Sequence, residues 1–474
     1  MKKMMNIVGR VLQVFSFLLL APYFLAIYFN EPGNILWSYA VAAFLAVAVG
    51  RASIYLGENG DMSLREASLA TVIGWISVSL VGAIPFLNFL GLEQAVFESV
   101  AGITTTGMSM FLAPENLPQS LLFWRSFMQW IGGLGILTFF VAVVRNSGAA
   151  TRKLFSSESH KSDPGNVRPS MKKTVIDLWK IYAGLTSIMV AIYFLSGMNV
   201  LDSLLHSFSV ISTGGFSTQG GSIGAFDSTL ISIVTVPFML VGGTNFVLIY
   251  SLIKRKYNIF ADSEFRSYIK LFGFAVFVFA VDKYLNGSLV LENVVEVSFT
   301  AATLLTSTGY AIEPVTGYSF PVQILMLGIM FVGGSIGSTA GGLKVFRFKV
   351  LWEVVNTRIK AYSLPETAIN EVRIDNEILE NNAVRTVTSL FFLWVLVTFV
   401  GTVSLAVFEG FTIIEGTSAV ISAISNMGPV MFSGERLIET TLASKIVLMV
   451  SMLAGRLEML PLLAIFNRHL APNQ

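Results

Sequence analysis

The sequence predicts an all-α integral membrane protein in which four similar repeats follow two extra N-terminal helices. Hydrophobic residues make up 54% of the 474 residues and charged residues only 13%, whereas a soluble domain carries about 25% charged residues. Several stretches are apolar over the roughly 20 residues that a helix needs to cross a bilayer. Four shorter apolar stretches lie between the later ones, and a similar Thr/Ser/Gly segment follows each of them.

Ten stretches qualify as full membrane spans by length and polarity. The first has an apolar run longer than the ~7–15 residues of a signal-peptide core, so we interpret it as an anchored helix. The predicted spans are residues 8–29, 35–54, 68–90, 121–144, 178–196, 230–252, 268–283, 322–345, 387–408 and 446–466.

The positive charges predict the orientation of these spans. In a ten-span layout, 26 of the 31 Lys and Arg residues fall on one side of the membrane. The positive-inside rule makes that side cytoplasmic, with both termini inside the cell and the protein in the cytoplasmic (inner) membrane. The two longest polar cytoplasmic segments, residues 145–180 and 344–385, are the expected docking surface for a regulatory partner. The five exceptions are Arg125, Lys283, Arg436, Lys445 and Arg456.

The four shorter stretches, residues 93–103, 202–211, 292–305 and 413–424, each cover about half the membrane at ~1.5 Å per residue. The segments that follow contain Gly107, Gly214, Gly309 and Gly428, which we align as equivalent positions. The predicted units are the two N-terminal helices in residues 1–66 and pore repeats in residues 67–150, 174–257, 265–352 and 385–468.

This arrangement favours a cation. A half-helix that enters from outside presents the negative end of its dipole to the middle of the membrane. Beyond that end, backbone carbonyls can replace the hydration shell of an ion, and Gly allows the backbone conformation that this requires. The alternative is that each Gly-containing segment is an ordinary turn, but four occurrences after four half-helices favour an ion filter around a central pore.

At these residues the chain resembles the Trk/Ktr/HKT superfamily of potassium transporters, and most closely its bacterial TrkH/TrkG members. The resemblance covers nearly the whole chain. The residues that carry it are Phe97 to Gly107, Leu122 to Ser126, Gln129 to Gly135, Ser212 to Ser217, Gly333 to Lys344, and Gly455 to Glu458.

The resemblance implies a homodimer in which each chain forms a pseudo-tetrameric pore, with potassium as the substrate and no cofactor. It also implies a separate cytoplasmic nucleotide-binding subunit of the TrkA type. The implied filter residues are Thr105, Thr106, Gly107, Ser212, Thr213, Gly214, Ser307, Thr308, Gly309, Asn426, Met427 and Gly428. The implied gate is the loop 333–344, with Gly333, Gly334, Gly337, Gly341, Gly342 and, beneath the filter, Arg456. In the fourth segment, Asn426 replaces a hydroxyl residue, which predicts asymmetric coordination.

Several polar residues and glycines have two interpretations. Arg125 either reaches the outer surface or tethers a half-helix, and Glu98, Glu292 and Glu415 either attract cations at the pore mouth or bond to neighbours. The Gly-rich loop 333–344 and Gly242–Asn245 either break their helices or serve close helix packing. Close helix packing is the role assigned to Gly132, Gly133 and Gly135. Arg456 either functions beneath the filter or pairs with Glu458. Structural or surface roles are assigned to His160, His206 and His469.

The preferred mechanism is voltage-driven, gated, channel-like uptake of potassium. The alternative is symport with protons or sodium, which usually needs a titratable group or second ion site at mid-membrane. No carboxylate falls clearly in the middle of a span. An enzyme is not expected, because the chain has no Cys and its spans contain no nucleophile motif or His/Asp/Glu cluster.

Overall fold

A computed structural model of the protein describes residues 1–60, 62–146, 171–254, 258–287, 291–363, 371–375 and 377–459. Within these ranges the chain is helical apart from its connections and one two-stranded antiparallel hairpin, β1 (Arg373–Ile374) with β2 (Glu377–Ile378). His160, His469 and the basic segment 147–170 lie outside the described residues. The prediction of an all-α membrane protein is confirmed.

Two N-terminal helical segments and a third helix form a hairpin that packs on the first repeat. These are α1 (Lys2–Leu18), α2 (Leu20–Tyr28) and α3 (Gly33–Leu56). Gly9 and Gly50 permit the close crossing of α1 and α3, because a Cβ on Gly9 would lie 2.5 Å from the carbonyl oxygen of Gly50. The buried Trp124 ring joins this hairpin to the first repeat through Phe15 and Tyr39, at ring-centroid distances of 5.6 and 6.5 Å.

Four repeats follow, each with a first helix, a short helix and a return segment. The first repeat has α4 (Leu64–Gly82), α5 (Leu92–Ile103) and α6 (Gln119–Asn146); the second has α7 (Met171–Leu195), α8 (Val200–Ile211), α9 (Thr229–Gly242) and α10 (Phe246–Ile253). The third has α11 (Ser263–Leu285), α12 (Leu291–Leu305), α13 (Phe320–Val332) and α14 (Val345–Ala361); the fourth has α15 (Asn381–Glu409), α16 (Ile413–Ile424), α17 (Gly434–Ile438) and α18 (Leu442–Arg456).

The short helices α5, α8, α12 and α16 begin within two residues of the sequence-based limits and end at the expected residues. Side-chain caps fix two of these starts. Asn199 accepts the backbone N–H of Asp202 at the start of α8, and Thr412 forms a capping box with Glu415 at the start of α16. Both caps supply acceptors for N–H groups that the first helical turn leaves without partners.

By length and hydropathy, five described helices are able to cross a membrane, and a sixth span results if the bent pair α9 and α10 counts as one. That pair bends by 100° at Gly243–Asn245, so these residues break the helix rather than continue a straight span. The predicted span 322–345 is interrupted, as the helix-break interpretation expects, because α13 ends at Val332 and α14 begins at Val345. The predicted span 446–466 is broken after Arg456, where α18 ends and Glu458 and Met459 turn with positive φ, and residues 460–466 lie outside the described residues.

Glycines on the return helices allow the ends of the short helices to approach. A Cβ on Gly132 would lie 1.9 Å from the carbonyl oxygen of Ile103, and a Cβ on Gly455 would lie 1.8 Å from that of Ile424. A backbone carbonyl cannot move aside as a flexible side chain can. The assignment of Gly132 to close packing therefore agrees with these contacts, and Gly455 has the same role in the fourth repeat.

We expect Gly455→Ala to destabilise the protein, because the added methyl overlaps a fixed carbonyl and overpacking typically costs about 1–3 kcal/mol. Gly328→Ala on α13 is the matched control, since its Cβ meets no atom within 4 Å. Thermal unfolding of the detergent-solubilised variants, followed by Trp fluorescence, measures the effect. Equal melting temperatures for the two variants would contradict this account of the packing.

Candidate functional site

The four short helices end with the same backbone turn. At its first position each segment has a residue in the left-handed region: Thr105 (φ 56°), Thr213 (54°), Ser307 (51°) and Asn426 (51°). The next residue donates its N–H to a carbonyl five residues earlier, as from Thr106 to Ala101 and from Met427 to Ser422. This is the bonding of a Schellman C-cap, which satisfies carbonyls that the helix end would otherwise leave unpaired.

The left-handed residues are unusual in type. Gly or Asn normally occupies this cap position, whereas two of the four repeats have Thr, a β-branched residue for which positive φ is an outlier. Such strain costs on the order of 1–3 kcal/mol and persists only where the surroundings hold it. Thr105 and Thr213 are both buried. The first two repeats therefore have a strained, buried threonine at the same point of the turn.

The backbone register corrects one sequence alignment. Two residues after the left-handed residue, Gly107, Gly215 and Gly309 have φ values of 76°, 80° and 78°. The glycine of the second repeat that matches Gly107 is therefore Gly215, not Gly214 as the sequence alignment had it. Gly214 instead corresponds to Thr106. The sequence reasoning missed Gly215 because two consecutive glycines gave no means of choosing between them.

The four segments make a closed ring of contacts. A Cβ on Gly107 would lie 2.2 Å from the Gly214 carbonyl oxygen, and one on Gly215 would lie 2.1 Å from that of Thr308. A Cβ on Gly309 would lie 2.6 Å from the Gly428 nitrogen. The ring closes because the Asn426 side-chain amide donates to Thr106 Oγ1 at 3.1 Å.

This ring contains all of the expected filter residues: Thr105, Thr106, Gly107, Ser212, Thr213, Gly214, Ser307, Thr308, Gly309, Asn426, Met427 and Gly428. Ser212 is the C-cap residue of α8, next to the left-handed Thr213. Within the described residues, Thr105 Oγ1 and Asn426 Oδ1 are buried oxygens without a hydrogen-bond partner. No group of three or more His, Asp or Glu side chains suited to a metal occurs in that part of the chain.

Side chains behind the ring hold its backbone. In the first and third repeats, hydroxyl pairs bridge the turn, Thr104 to Thr106 at 2.8 Å and Thr306 to Thr308 at 2.7 Å. In the second repeat Gln129 donates to the Gly214 carbonyl at 2.6 Å and accepts the N–H of Phe216 at 3.2 Å. In the sequence, Gln129 stands out only as part of the segment Gln129 to Gly135. Its polar amide within an apolar span was the signal that it bonds to something specific.

Arg125 is a buried tether rather than a residue that reaches the surface. It is 2% exposed and pairs with the fully buried Glu98 at 2.8 Å. Its other nitrogens donate to the Ser217 carbonyl at 3.1 Å and Ser109 Oγ at 2.9 Å, while Glu98 accepts the N–H of Met110 at 2.6 Å. This network ties the outer ends of the first and second ring segments together, so Glu98 is not a free charge at the mouth.

Three other cations outside the predicted cytoplasmic side also pair with carboxylates. Lys283 contacts Glu296 at 2.7 Å, Arg436 contacts Glu415 at 2.9 Å, and Lys445 contacts Glu93 at 2.9 Å. Each of these carboxylates belongs to a short helix, which leaves little net positive charge there to repel a cation. Glu415 is thus paired, while the side chain of Glu292 lies outside the described residues. His206 is buried, with a ring nitrogen 3.0 Å from Ser217 Oγ, in agreement with its packing role.

The loop between α13 and α14 lies directly against the helix ends of the ring. Gly341 donates its N–H to Ser307 Oγ at 2.6 Å, and Thr339 Oγ1 donates to the Ile211 and Gly242 carbonyls at 2.9 and 3.0 Å. A Cβ on Gly341 would lie only 1.7 Å from the Ser425 carbonyl oxygen.

Glycines give the loop its tight path. Gly333, Gly337 and Gly342 have φ values of 72°, 72° and 86°. Gly334 accepts the N–H of Val345 at 3.0 Å, which closes the loop on itself. The interpretation of this stretch as a helix break is therefore correct, and the packing alternative is wrong for it.

Arg456 connects this loop to the first repeat. It is 2% exposed, donates to the Thr339 carbonyl at 2.7 Å and donates to the Gly132 carbonyl at 3.0 Å. Glu458 instead pairs with Arg347, at 2.5 Å. Arg456 therefore fastens the loop through backbone carbonyls. It follows Gly455, just as Gly133 follows Gly132 in the first repeat and Gly243 follows Gly242 in the second.

Comparisons with known proteins agree with this architecture. The TrkH family model, described as a cation transport protein, matches residues 39–281 and 274–473. The Trk system potassium uptake protein TrkH of Escherichia coli (strain K12) is 29% identical over 98% of this chain and 97% of its own length. The Trk system potassium uptake protein TrkG of the same strain is 30% identical over 97% of this chain and 96% of its own length. A crystal structure of the potassium transporter TrkH from Vibrio parahaemolyticus matches with a TM-score of 0.89 and 28% identity, covering 98% of each chain.

We expect Arg125→Ala to lower the free energy of unfolding by about 3–5 kcal/mol, because it leaves Glu98 charged and buried without its partner. Arg436→Ala is the control, since the Arg436 side chain is 40% exposed and ion pairs at the surface contribute about 0–1 kcal/mol. Unfolding in mixed micelles of increasing SDS content measures both. A loss for Arg125→Ala no larger than that for Arg436→Ala would show that Glu98 is solvated or neutral.

Proposed function

This chain belongs to the TrkH family of cation transport proteins, and we propose that it takes up potassium by a gated, channel-like route through the ring of four segments. The observation that carries the proposal is the ring itself. Four short helices end at one place, with equivalent strained residues, and a loop is fastened beneath them. Channel-like conduction of single ions through this ring is preferred over symport, since no group of three or more described His, Asp or Glu side chains offers a second ion site.

The ring suits a monovalent cation. The carboxyl ends of four helix dipoles, each equivalent to roughly half a negative charge, converge there. The ion exchanges water for carbonyl and hydroxyl oxygens held in place, as in other potassium filters. The free oxygens of Thr105 and Asn426 are available for such coordination because no protein donor occupies them.

The loop 333–344 serves as the gate. Its contacts to Ser307, Ile211 and Gly242 hold it against the cytoplasmic end of the ring, so conduction requires these bonds to break. Arg456 adds a cation beneath the ring and fastens Thr339. The structure therefore corresponds to a closed pathway in this proposal, and a movement of α14 transmits opening to the loop.

Membrane voltage provides the driving force. One charge gains about 2.3 kcal/mol per 100 mV. Since about 1.4 kcal/mol corresponds to a factor of ten in a concentration ratio, a voltage of about 100 mV alone supports roughly 50-fold accumulation of the ion. A coupling ion is then unnecessary. Both termini lie in the cytoplasm in this proposal, since 26 of 31 basic residues fall on that side.

Regulation belongs to the cytoplasmic face. We propose a homodimer in the inner membrane whose basic cytoplasmic segments, 145–180 and 344–385, receive a nucleotide-binding subunit of the TrkA type. The described part of the second segment includes α14, which begins at the end of the gate loop. A partner that moves α14 would therefore act on the gate directly.

Rubidium flux into proteoliposomes at fixed voltage tests the transport proposal. We expect flux that follows the voltage and persists without a sodium or proton gradient. Flux that vanishes when either gradient is collapsed at constant voltage would replace the channel-like mechanism by symport, and an absence of voltage-driven flux would reject potassium uptake.

We expect Gly107→Ser to lower the preference for potassium over sodium. Its Cβ would lie 2.2 Å from the Gly214 carbonyl, and φ of 76° is unfavourable for Ser, so the ring geometry must shift. Reversal potentials under mixed-ion gradients measure the change. Gly317→Ser is the control, because Gly317 has no atom within 4 Å of its Cβ position. Unchanged reversal potentials for Gly107→Ser would count against a filter role.

Deletion of residues 335–340 should raise basal rubidium flux by more than about tenfold. The deletion removes the loop contacts to Ile211, Gly242 and Gly243, and each hydrogen bond contributes about 1 kcal/mol to the closed state. Combining the deletion with Gly107→Ser should keep the high flux and lower its selectivity, which shows that ions still cross the ring. Reduced flux in the single deletion would instead assign the loop a structural role.

A further inference from the structure

The fourth ring segment has one peptide group turned over relative to the other three. Gly107, Gly215 and Gly309 have positive φ, whereas Gly428, at the same position, does not. Turning a peptide plane changes the φ of the residue that follows it. The difference at Gly428 therefore locates the change in the peptide between Met427 and Gly428.

The contacts between segments give the same answer independently. The second and third segments present a carbonyl oxygen to the glycine of the preceding segment: Gly214 O faces Gly107, and Thr308 O faces Gly215. The fourth segment presents the nitrogen of Gly428 to Gly309 instead, 2.6 Å from the built Cβ position. The N–H end of this peptide thus occupies the place where the others have their oxygen.

Ser422 holds the turned peptide. Its Oγ lies 2.5 Å from the carbonyl oxygens of both Met427 and Gly428, so both oxygens face the short helix α16. The equivalent position four residues before the left-handed residue is Ala101 in the first repeat, which has no hydroxyl, Ser209 in the second, whose buried Oγ bonds to no filter carbonyl, and Thr303 in the third, whose buried Oγ1 has no hydrogen-bond partner. Of these four positions, only Ser422 bonds the filter carbonyls of its own repeat in this way.

The sequence supplies a second reason for the orientation of the Met427–Gly428 peptide. Pro429 follows Gly428, whereas Met108, Phe216 and Tyr310 follow the other ring glycines. A proline restricts the backbone conformation of the residue before it, which favours extended conformations at that residue. Pro429 and the Ser422 hydroxyl therefore act on the same peptide from its two sides.

We propose that Ser422 is a specificity-determining positioning residue, which holds the Met427–Gly428 peptide reversed and leaves the ring with three like carbonyls at that level. This inference rests on the filter role proposed above. A peptide dipole of about 3.5 D that presents its N–H end opposes a cation where the other three attract it. Loss of the hydroxyl removes the hydrogen bonds that hold the peptide, leaves Pro429 as the remaining restraint, and allows the peptide to turn back because Gly428 tolerates either sign of φ. The ring then gains a fourth carbonyl.

The first test compares two hydroxyl deletions by reversal potentials in proteoliposomes with potassium and sodium. We expect Ser422→Ala to raise the permeability ratio of potassium over sodium by about fivefold, the effect of one hydrogen bond. Thr303→Val is the matched control, since it removes the hydroxyl at the equivalent position of the third repeat; we expect a shift of less than about twofold. A ratio for Ser422→Ala equal to or below that of the control overturns the proposal.

The second test uses the glycines themselves and does not depend on Ser422. Alanine at Gly309 must adopt φ near 78° and overlap Gly428, while alanine at Gly428 has a compatible φ and no atom nearer than 3.4 Å. We expect the rubidium flux of Gly428→Ala to exceed that of Gly309→Ala by roughly tenfold, the effect of about 1.4 kcal/mol. Elution from size-exclusion chromatography as a single peak confirms that each variant folds.

The outcomes separate the two proposals. If Gly309→Ala leaves flux and selectivity as in the wild type, the filter role itself fails. If Gly309→Ala is damaging and Gly428→Ala is equally damaging, the filter stands and the reversed peptide is rejected.

Discussion

The end of a helix inside the protein is the constraint on which the rest of the structure depends. Four short helices stop where no bulk water is available, so their last carbonyls require partners within the chain. The shared left-handed turn supplies part of the bonding, and the neighbouring glycines let other helices come close enough to enclose the rest. Gly132 and Gly455 meet carbonyls of Ile103 and Ile424 at distances that no larger residue allows. The same close fit leaves the strained residues no alternative conformation.

Charge is arranged by the same constraint. A buried cation near a cation pathway would repel the ion, and each outer one is paired with a carboxylate on a short helix. Arg456 is different, because its guanidinium donates to the backbone carbonyls of Thr339 and Gly132. It keeps its positive charge near the ring and fastens the loop with the same group. In the proposed mechanism, electrostatic and mechanical obstruction of the pathway therefore reside in a single side chain.

The four repeats are alike in backbone but not in how that backbone is held. Hydroxyl pairs brace the first and third segments, whereas side chains bonded to carbonyls, Gln129 and Ser422, brace the second and fourth. A single chain can place different residues at equivalent positions, which four identical subunits cannot do. The asymmetry at Met427–Gly428 is one consequence, because a proline and a serine in one repeat change one peptide without affecting the others.

The sequence by itself determined the number of repeats and the limits of the short helices, and it offered the helix breaks at Gly242–Asn245 and in the loop 333–344 as one of two interpretations. These features depend on local composition: apolar length, Gly pairs and the Thr/Ser/Gly segments repeat along the chain and can be read in order. Only the tertiary structure decided that Gly215 rather than Gly214 matches Gly107, that Arg125 is a buried tether, and that Arg456 ends its helix against Thr339. Each of these depends on which distant backbone atom lies a few ångströms away, and contacts of that kind leave no pattern in the local sequence.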